Sequence, residues 1–121
     1  MQAKKIGFVV TSGEDNPELA TLAFILANGA IAMDVEPVIV LQADAVHLAV
    51  KGGAERVVAT GMAPLAELMG ALIAAGHRIM VCSPCMATRG IAEESLIEGC
   101  YVGGAGIVVQ AMLECENFLR Y

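Results

Sequence analysis

Short runs of consecutive apolar residues punctuate the chain, and between them apolar positions recur at helical spacing. Lys5 to Val10 reads as one strand, Pro37 to Leu41 as a second and Arg78 to Cys82 as a third. Cys100 to Val102 and Phe118 to Leu119 are shorter candidates. The three main runs do not alternate apolar with polar residues, which marks strands buried on both faces of a parallel sheet. Asn16 reads as an N-cap, with Pro17 at the favoured first helical position. Behind it Leu19, Leu22, Ala23, Leu26, Ala30 and Met33 form an apolar stripe, while Phe24, Ile25 and Ile31 point elsewhere. A helix apolar nearly all round is buried on more than one side, so one edge of it is expected to pack against another subunit.

Further along, Asp44 to Lys51 predicts a short helix ending at Gly52-Gly53, and Arg56 to Ala59 a short extension or irregular link. Pro64 starts a helix with Leu65, Leu68, Met69, Leu72 and Ile73 on one face, and Gly76 stops it. Pro84 opens a short helix that Gly90 closes. Ala92 to Ile97 predicts a brief helix, and Ala105 to Cys115 a longer one. Strands alternating with helices predict a single α/β domain over residues 1–121, a three-layer α/β/α fold with a mostly parallel sheet of about five strands.

Composition sharpens this picture. The 121 residues are 57% hydrophobic but only 4% aromatic, so the core must be aliphatic. Such a share exceeds what a small monomer needs, because small domains have much surface to cover with polar groups, and the excess reads as subunit contacts. The longest uncharged stretch, Leu19 to Met33, is shorter than the roughly 20 apolar residues of a membrane span. Lys4-Lys5 leads into a strand-like run with no small-residue cleavage site, so a cytoplasmic location is expected. The net charge of −6 with seven scattered Lys and Arg residues argues against direct nucleic-acid binding, which needs a basic surface. Four cysteines in such a chain are more consistent with catalysis, redox chemistry or metal binding than with a disulfide scaffold.

The candidate chemistry centres on Cys82-Ser83-Pro84-Cys85. The run Ile79-Met80-Val81 places these thiols at the C-terminal edge of a strand, where ligands collect in open α/β sheets. With Ser83 as N-cap, Cys82 lies just outside the following helix and Cys85 at its second position. The helix N-terminus is expected to favour thiolate over thiol at both. The alternative is structural, with Cys82 ending a buried strand as a small hydrophobe and Cys85 beneath it. A thioredoxin-like pair is disfavoured, since the motif lies two-thirds along the chain with no hairpin after it. Zinc needs about four ligands, and Cys100, Cys115, His47 and His77 supply no second half-site at usual spacing. Cys100 and Cys115 read as core residues, and the sequence leaves open whether either approaches the pair. Thr11-Ser12-Gly13 continues into Glu14-Asp15, which repels anions, so it reads as a turn. Gly103-Gly104-Ala105-Gly106 reads as tight packing. Asp44 reads as a helix N-cap, with His47 one turn later as its alternative partner in a functional pair, and Arg89 as the complement of a helix C-terminus or as a group holding a sulfur anion or a partner carboxylate.

These residues together resemble the DsrE/DsrF-like family, which includes the TusD-type sulfur-relay subunits. The resemblance spans nearly the whole chain. It rests on the first strand with Thr11-Ser12-Gly13, the uncharged first helix, Leu41-Gln42-Ala43-Asp44 leading to Val50-Lys51-Gly52, and Val81-Cys82-Ser83-Pro84-Cys85 followed by Arg89-Gly90-Ile91. It implies a sulfur-accepting cysteine at the place of Cys82, assembly into trimers or hexamers, of one chain or with paralogous chains, and a persulfide passed between donor and acceptor proteins. Cys85 is not required in such relay subunits. It stands as a possible second, resolving thiol that releases the sulfur by forming a disulfide with Cys82. No cofactor and no metal are implied. A non-enzymatic oligomeric subunit, or a small-ligand or metal-binding module with structural cysteines, is the alternative reading.

Overall fold

The computed structural model describes residues 4–121. Five strands, β1 (Lys5–Val10), β2 (Glu36–Leu41), β3 (Ile79–Cys82), β4 (Cys100–Gly103) and β5 (Asn117–Arg120), form one sheet in the order β4-β3-β2-β1-β5. Every pairing is parallel. Four α-helices, α1 (Pro17–Ala32), α2 (Leu65–Ala74), α3 (Ser83–Thr88) and α4 (Ala105–Leu113), lie in the connections. The α/β class, the strand count and the parallel sheet all agree with the sequence pattern.

The order of strands decides how the sheet is covered. From β1 to β4 each connection steps the same way across the sheet, and right-handed crossovers then stack their helices on one face. Only the last connection, carrying α4, turns back past β3, β2 and β1 to place β5. The first face holds the main core, with Phe8, Val10, Ile39, Leu41, Ile79 and Val81 packed under α1 and α2. On the second face α4 stands alone, and none of its residues is fully buried.

Several local expectations are corrected. The buried face of α1 is Ala20, Thr21, Ala23, Phe24, Ala27 and Ala30, whereas Leu19 and Leu26 are exposed and Met33 is 76% exposed. Alanines let the helix lie close to the sheet, and the larger residues of the expected stripe are left outside. Asn16 does cap this helix, accepting from the Leu19 amide at 3.2 Å. Asn28 Nδ2 ties it to α2 through the Leu68 carbonyl at 3.0 Å. The segments expected as short helices at Asp44–Lys51 and Ala92–Ile97 are 3-10 turns, Ala43–Ala49 and Glu93–Ser95. Glu93–Ser95 is a short connector of the kind in which the tighter helix occurs, whereas Ala43–Ala49, at seven residues, is longer than the usual run.

At three glycines, Gly53, Gly99 and Gly103, an added β-carbon would come closer than 3.0 Å to a neighbour. A β-carbon on Gly103 would lie 2.5 Å from Met80 Sδ, and one on Gly53 would lie 1.8 Å from the His47 carbonyl oxygen. The second clash is with backbone and has no cheap escape. Gly53→Ala is therefore expected to lower unfolding stability by about 2 kcal/mol or more. Gly106→Ala, whose added methyl meets nothing within 4 Å, is expected to stay within about 0.5 kcal/mol of wild type or to gain. Urea denaturation of the two variants checks the contrast.

Candidate functional site

β3 is buried along its whole length, because β2 and β4 flank it and helices pack on its first face. Cys82 is its last residue, 8% exposed, paired in register with Gly103 of β4. The chain turns there without a spacer, so Cys82 itself occupies the N-cap position of α3. The expected cap, Ser83, is instead the first helical residue and is exposed. Cys85 accordingly sits at the third helical position. Beyond Cys82 the α4 side of the sheet opens into a cavity of about 250 Å³, lined by Gln42, Cys82, Pro84, Gly103, Val108 and Val109 among others. The cavity is apolar because α4 presents only aliphatic residues there.

Cys85 faces the other way, toward the turn that follows β2. Its Sγ accepts a hydrogen bond from the Ala43 amide at 3.3 Å. Ala43 holds φ at +50°, a left-handed conformation that costs a residue with a β-carbon about 1–3 kcal/mol. Beside it, Asp44 Oδ1 accepts from Arg89 Nη2 at 3.0 Å and from Arg89 Nε at 3.2 Å. Arg89 Nη1 also donates to the Cys85 carbonyl at 3.2 Å. The arginine serves the last turn of α3, and the carboxylate it grips is Asp44 of its own chain. Asp44 is not an N-cap, since the 3-10 helix starts at Ala43 with Gln42 preceding it. His47 lies exposed on that 3-10 helix, and its side chain joins none of the hydrogen bonds linking Asp44, Arg89 and Cys85.

The electrostatics reverse one expectation. Burial pushes the Cys82 thiol above its ordinary value, and the neighbouring Cys85 thiol raises it further. The Cys85 amide and the Arg89 charge pull the other way and lose. That amide lies near Cys82 without making a capping hydrogen bond of ordinary geometry. Cys100 is pushed up to about 12 by burial and packs against the core, as expected. It pairs with Ile79 at the opposite end of β3, about 10 Å from Gly103 along the strand. Cys115 lies beside Lys5 at the N-terminal edge of the sheet, and its Sγ donates to the Ala111 carbonyl at 3.3 Å. Neither approaches the pair.

Among the described residues no three His, Cys, Asp or Glu side chains gather in a metal-holding group. The Thr11-Ser12-Gly13 segment is a turn, with the Gly13 amide on Asp15 Oδ1 at 2.7 Å. Thr11 Oγ1 donates to the Tyr121 carbonyl at 2.9 Å, which ties the end of β1 to the residue that follows β5. Gln42, the strained Ala43 and the Val108-Val109 wall were not foreseen as parts of the site. The Leu41-Gln42-Ala43-Asp44 segment was the available signal for the first two, and nothing local marks Val108 and Val109.

The family model of the DsrE/DsrF-like family matches residues 4–121. The uncharacterized protein MJ0760 of Methanocaldococcus jannaschii is 36% identical over 95 residues, covering 78% of this chain and 34% of that protein. The chain therefore spans about a third of the length of this curated relative. The crystal structure of the ychN protein from E. coli superposes with a TM-score of 0.82 at 21% identity, covering 98% of this chain and 99% of that one. A protein of unknown function from Methanobacterium thermoautotrophicum, MTH1491, gives 0.70 at 16% identity, covering 99% and 100%. At these identities the two structures establish the fold.

A raised thiol is mostly protonated at neutral pH, so Cys82 is expected to alkylate more slowly than a free thiol at pH 7.5 and to speed up as pH rises toward and beyond 9. Arg89→Gln, which removes a charge that lowers the thiol, is expected to slow labelling further at pH 8. Peptide-resolved mass spectrometry of timed alkylation checks both, with urea-unfolded protein as the free-thiol reference.

Proposed function

Because the chain belongs to the DsrE/DsrF-like family, we propose that it is a sulfur-relay protein whose Cys82 accepts a sulfane sulfur, holds it as a persulfide and delivers it to an acceptor thiol. The observation that carries this reading is the position of Cys82, at the end of a central strand and in the wall of an apolar cavity. The chemistry asks for little else. The Cys82 thiolate attacks the outer sulfur of a donor persulfide, forming Cys82–S–SH and freeing the donor as a thiolate. An acceptor thiolate then attacks the outer sulfur of Cys82–S–SH and restores Cys82. No acid–base dyad is required, which agrees with an exposed His47 standing apart from the pair. Burial keeps the resting thiol quiet, and an apolar cavity would shelter a persulfide from side reactions in water.

Donor and acceptor are expected to be proteins that reach the C-terminal edge of the sheet. Homo-oligomers, as trimers or hexamers, are the assemblies proposed, and the exposed apolar residues support them. Leu26 and Met33 of α1, and Ile107, Val109 and Leu113 of α4, stand open on the isolated chain. Among the described residues no helix is long and apolar enough to cross a membrane, so a membrane span does not explain these exposed residues. The buried, raised thiol equally favours a second reading, a non-enzymatic subunit with structural cysteines.

Intact-mass analysis after incubation with a polysulfide donor separates the two. The relay reading expects wild type to gain sulfur masses and Cys82→Ser to gain none. A wild-type protein that takes up no sulfur, or a Cys82→Ser protein that takes up as much, would sink it. For the assembly, sedimentation is expected to give a multiple of the chain mass, reduced by Leu26→Asp or Leu113→Asp.

A further inference from the structure

The two cysteines have different surroundings, and this difference carries an inference. Cys82 lines the cavity on the α4 side, whereas Cys85 is not among the residues that line it. A second sulfur atom on Cys82 therefore has room in the cavity, away from Cys85. Cys85, three residues on at the start of α3, is the thiol that neighbours the inner sulfur, Cys82 Sγ.

Cys85 is also held. The Ala43 amide donates to its Sγ at 3.3 Å from a left-handed backbone that an alanine adopts only under constraint. The Asp44–Arg89 contacts pin that turn to α3, and Arg89 Nη1 reaches the Cys85 carbonyl. Two polar contacts thus end on Cys85, one at its Sγ and one at its carbonyl. Neighbours three apart in a helix have β-carbons about 5–6 Å apart, and a disulfide needs roughly 4 Å. The remaining shift falls to Cys82, whose backbone is extended (ψ 119°) rather than helical.

We infer that the Ala43 amide and the Asp44–Arg89 clasp hold Cys85 as a resolving thiol, which attacks the inner sulfur of a Cys82 persulfide and releases hydrosulfide. This rests on Cys82 carrying a persulfide, as proposed above. In the step the Cys85 thiolate forms a bond to Cys82 Sγ, the Sγ–S bond breaks, and HS⁻ leaves with its electron pair. The product is the Cys82–Cys85 disulfide. A dithiol reductant then supplies two electrons and two protons, and is itself oxidised to a disulfide. The net reaction turns a persulfide and a dithiol into a thiol, hydrosulfide and a disulfide. Asp44 and Arg89 act as positioning residues.

The test loads the protein with a polysulfide donor, removes the excess, and follows intact mass and free sulfide with no thiol added. Wild type is expected to lose its added sulfur, release about one equivalent of sulfide, and end two hydrogens lighter than the reduced chain. Cys85→Ser and Cys85→Ala are expected to load equally and keep the sulfur. Arg89→Gln is expected to load more slowly, in step with its slower alkylation, and once loaded to close several-fold more slowly than wild type, with partial rescue of closure by Arg89→Lys. If wild type and both Cys85 variants hold sulfur equally long, the resolving role is overturned while the carrier reading stands. If the sulfur is found on Cys85, attack is on the outer atom and the inference also fails. If no variant loads at all, the carrier reading itself has failed. Circular dichroism of each variant confirms that loss of closure is not loss of fold.

Discussion

A parallel sheet obliges every connection to leave the C-terminal edge of one strand and return to the N-terminal edge of the next. In this chain the order β4-β3-β2-β1-β5 makes the early connections step one way and the last one step back. From that constraint follow the thick core under α1 and α2, the thin cover by α4, and the apolar space beside Cys82. The same constraint gathers the turn after β2, the start of α3 and the end of β4 at a single edge. Residues 42–44, 82–89 and 103 have no proximity in sequence, yet the register of three parallel strands brings them together.

At that edge two opposing effects act on Cys82, and their sizes decide the outcome. A charge near a helix terminus gains about 0.3–1 kcal/mol, which is less than one pKa unit at about 1.4 kcal/mol per unit. A six-residue helix such as α3 supplies no more than that. Burying a thiolate costs more, so Cys82 is raised despite its N-cap position and despite Arg89. Position at a helix start is therefore not enough to make a thiol reactive. In the relay reading, such a resting thiol waits for a donor that reaches the sheet edge.

The Asp44–Arg89 pair is partly exposed, and surface pairs of this kind contribute about 0–1 kcal/mol to stability. Its consequence is geometric. By joining the turn after β2 to α3, it keeps Ala43 in a backbone state that the residue does not favour and keeps the amide of Ala43 on Cys85. The strain sits beside the chemistry, where such outliers tend to cluster.

Local patterning carried much of this in the sequence. Unbroken aliphatic runs marked β1, β2 and β3, because strands buried on both faces have no polar side to show. Asn16-Pro17 marked the start of α1, because capping and a fixed φ are local effects. Cys82 and Cys85 were legible as a pair at a strand end for the same reason. Where the reading failed, a distant partner decided. Leu19, Leu26 and Met33 shared one apolar stripe with Ala23 and Ala30, but close approach to the sheet buried only the alanines of it. Asp44 looked like a cap, but Arg89, far along the chain, claimed its carboxylate. The Cys82 thiol looked activated, but burial between β2 and β4 outweighed the helix. Hydrophobic period, caps and turns act over a few residues and can be read from one chain. Strand order, burial and the cavity under α4 arise only when distant segments pack, and those the tertiary structure alone decided.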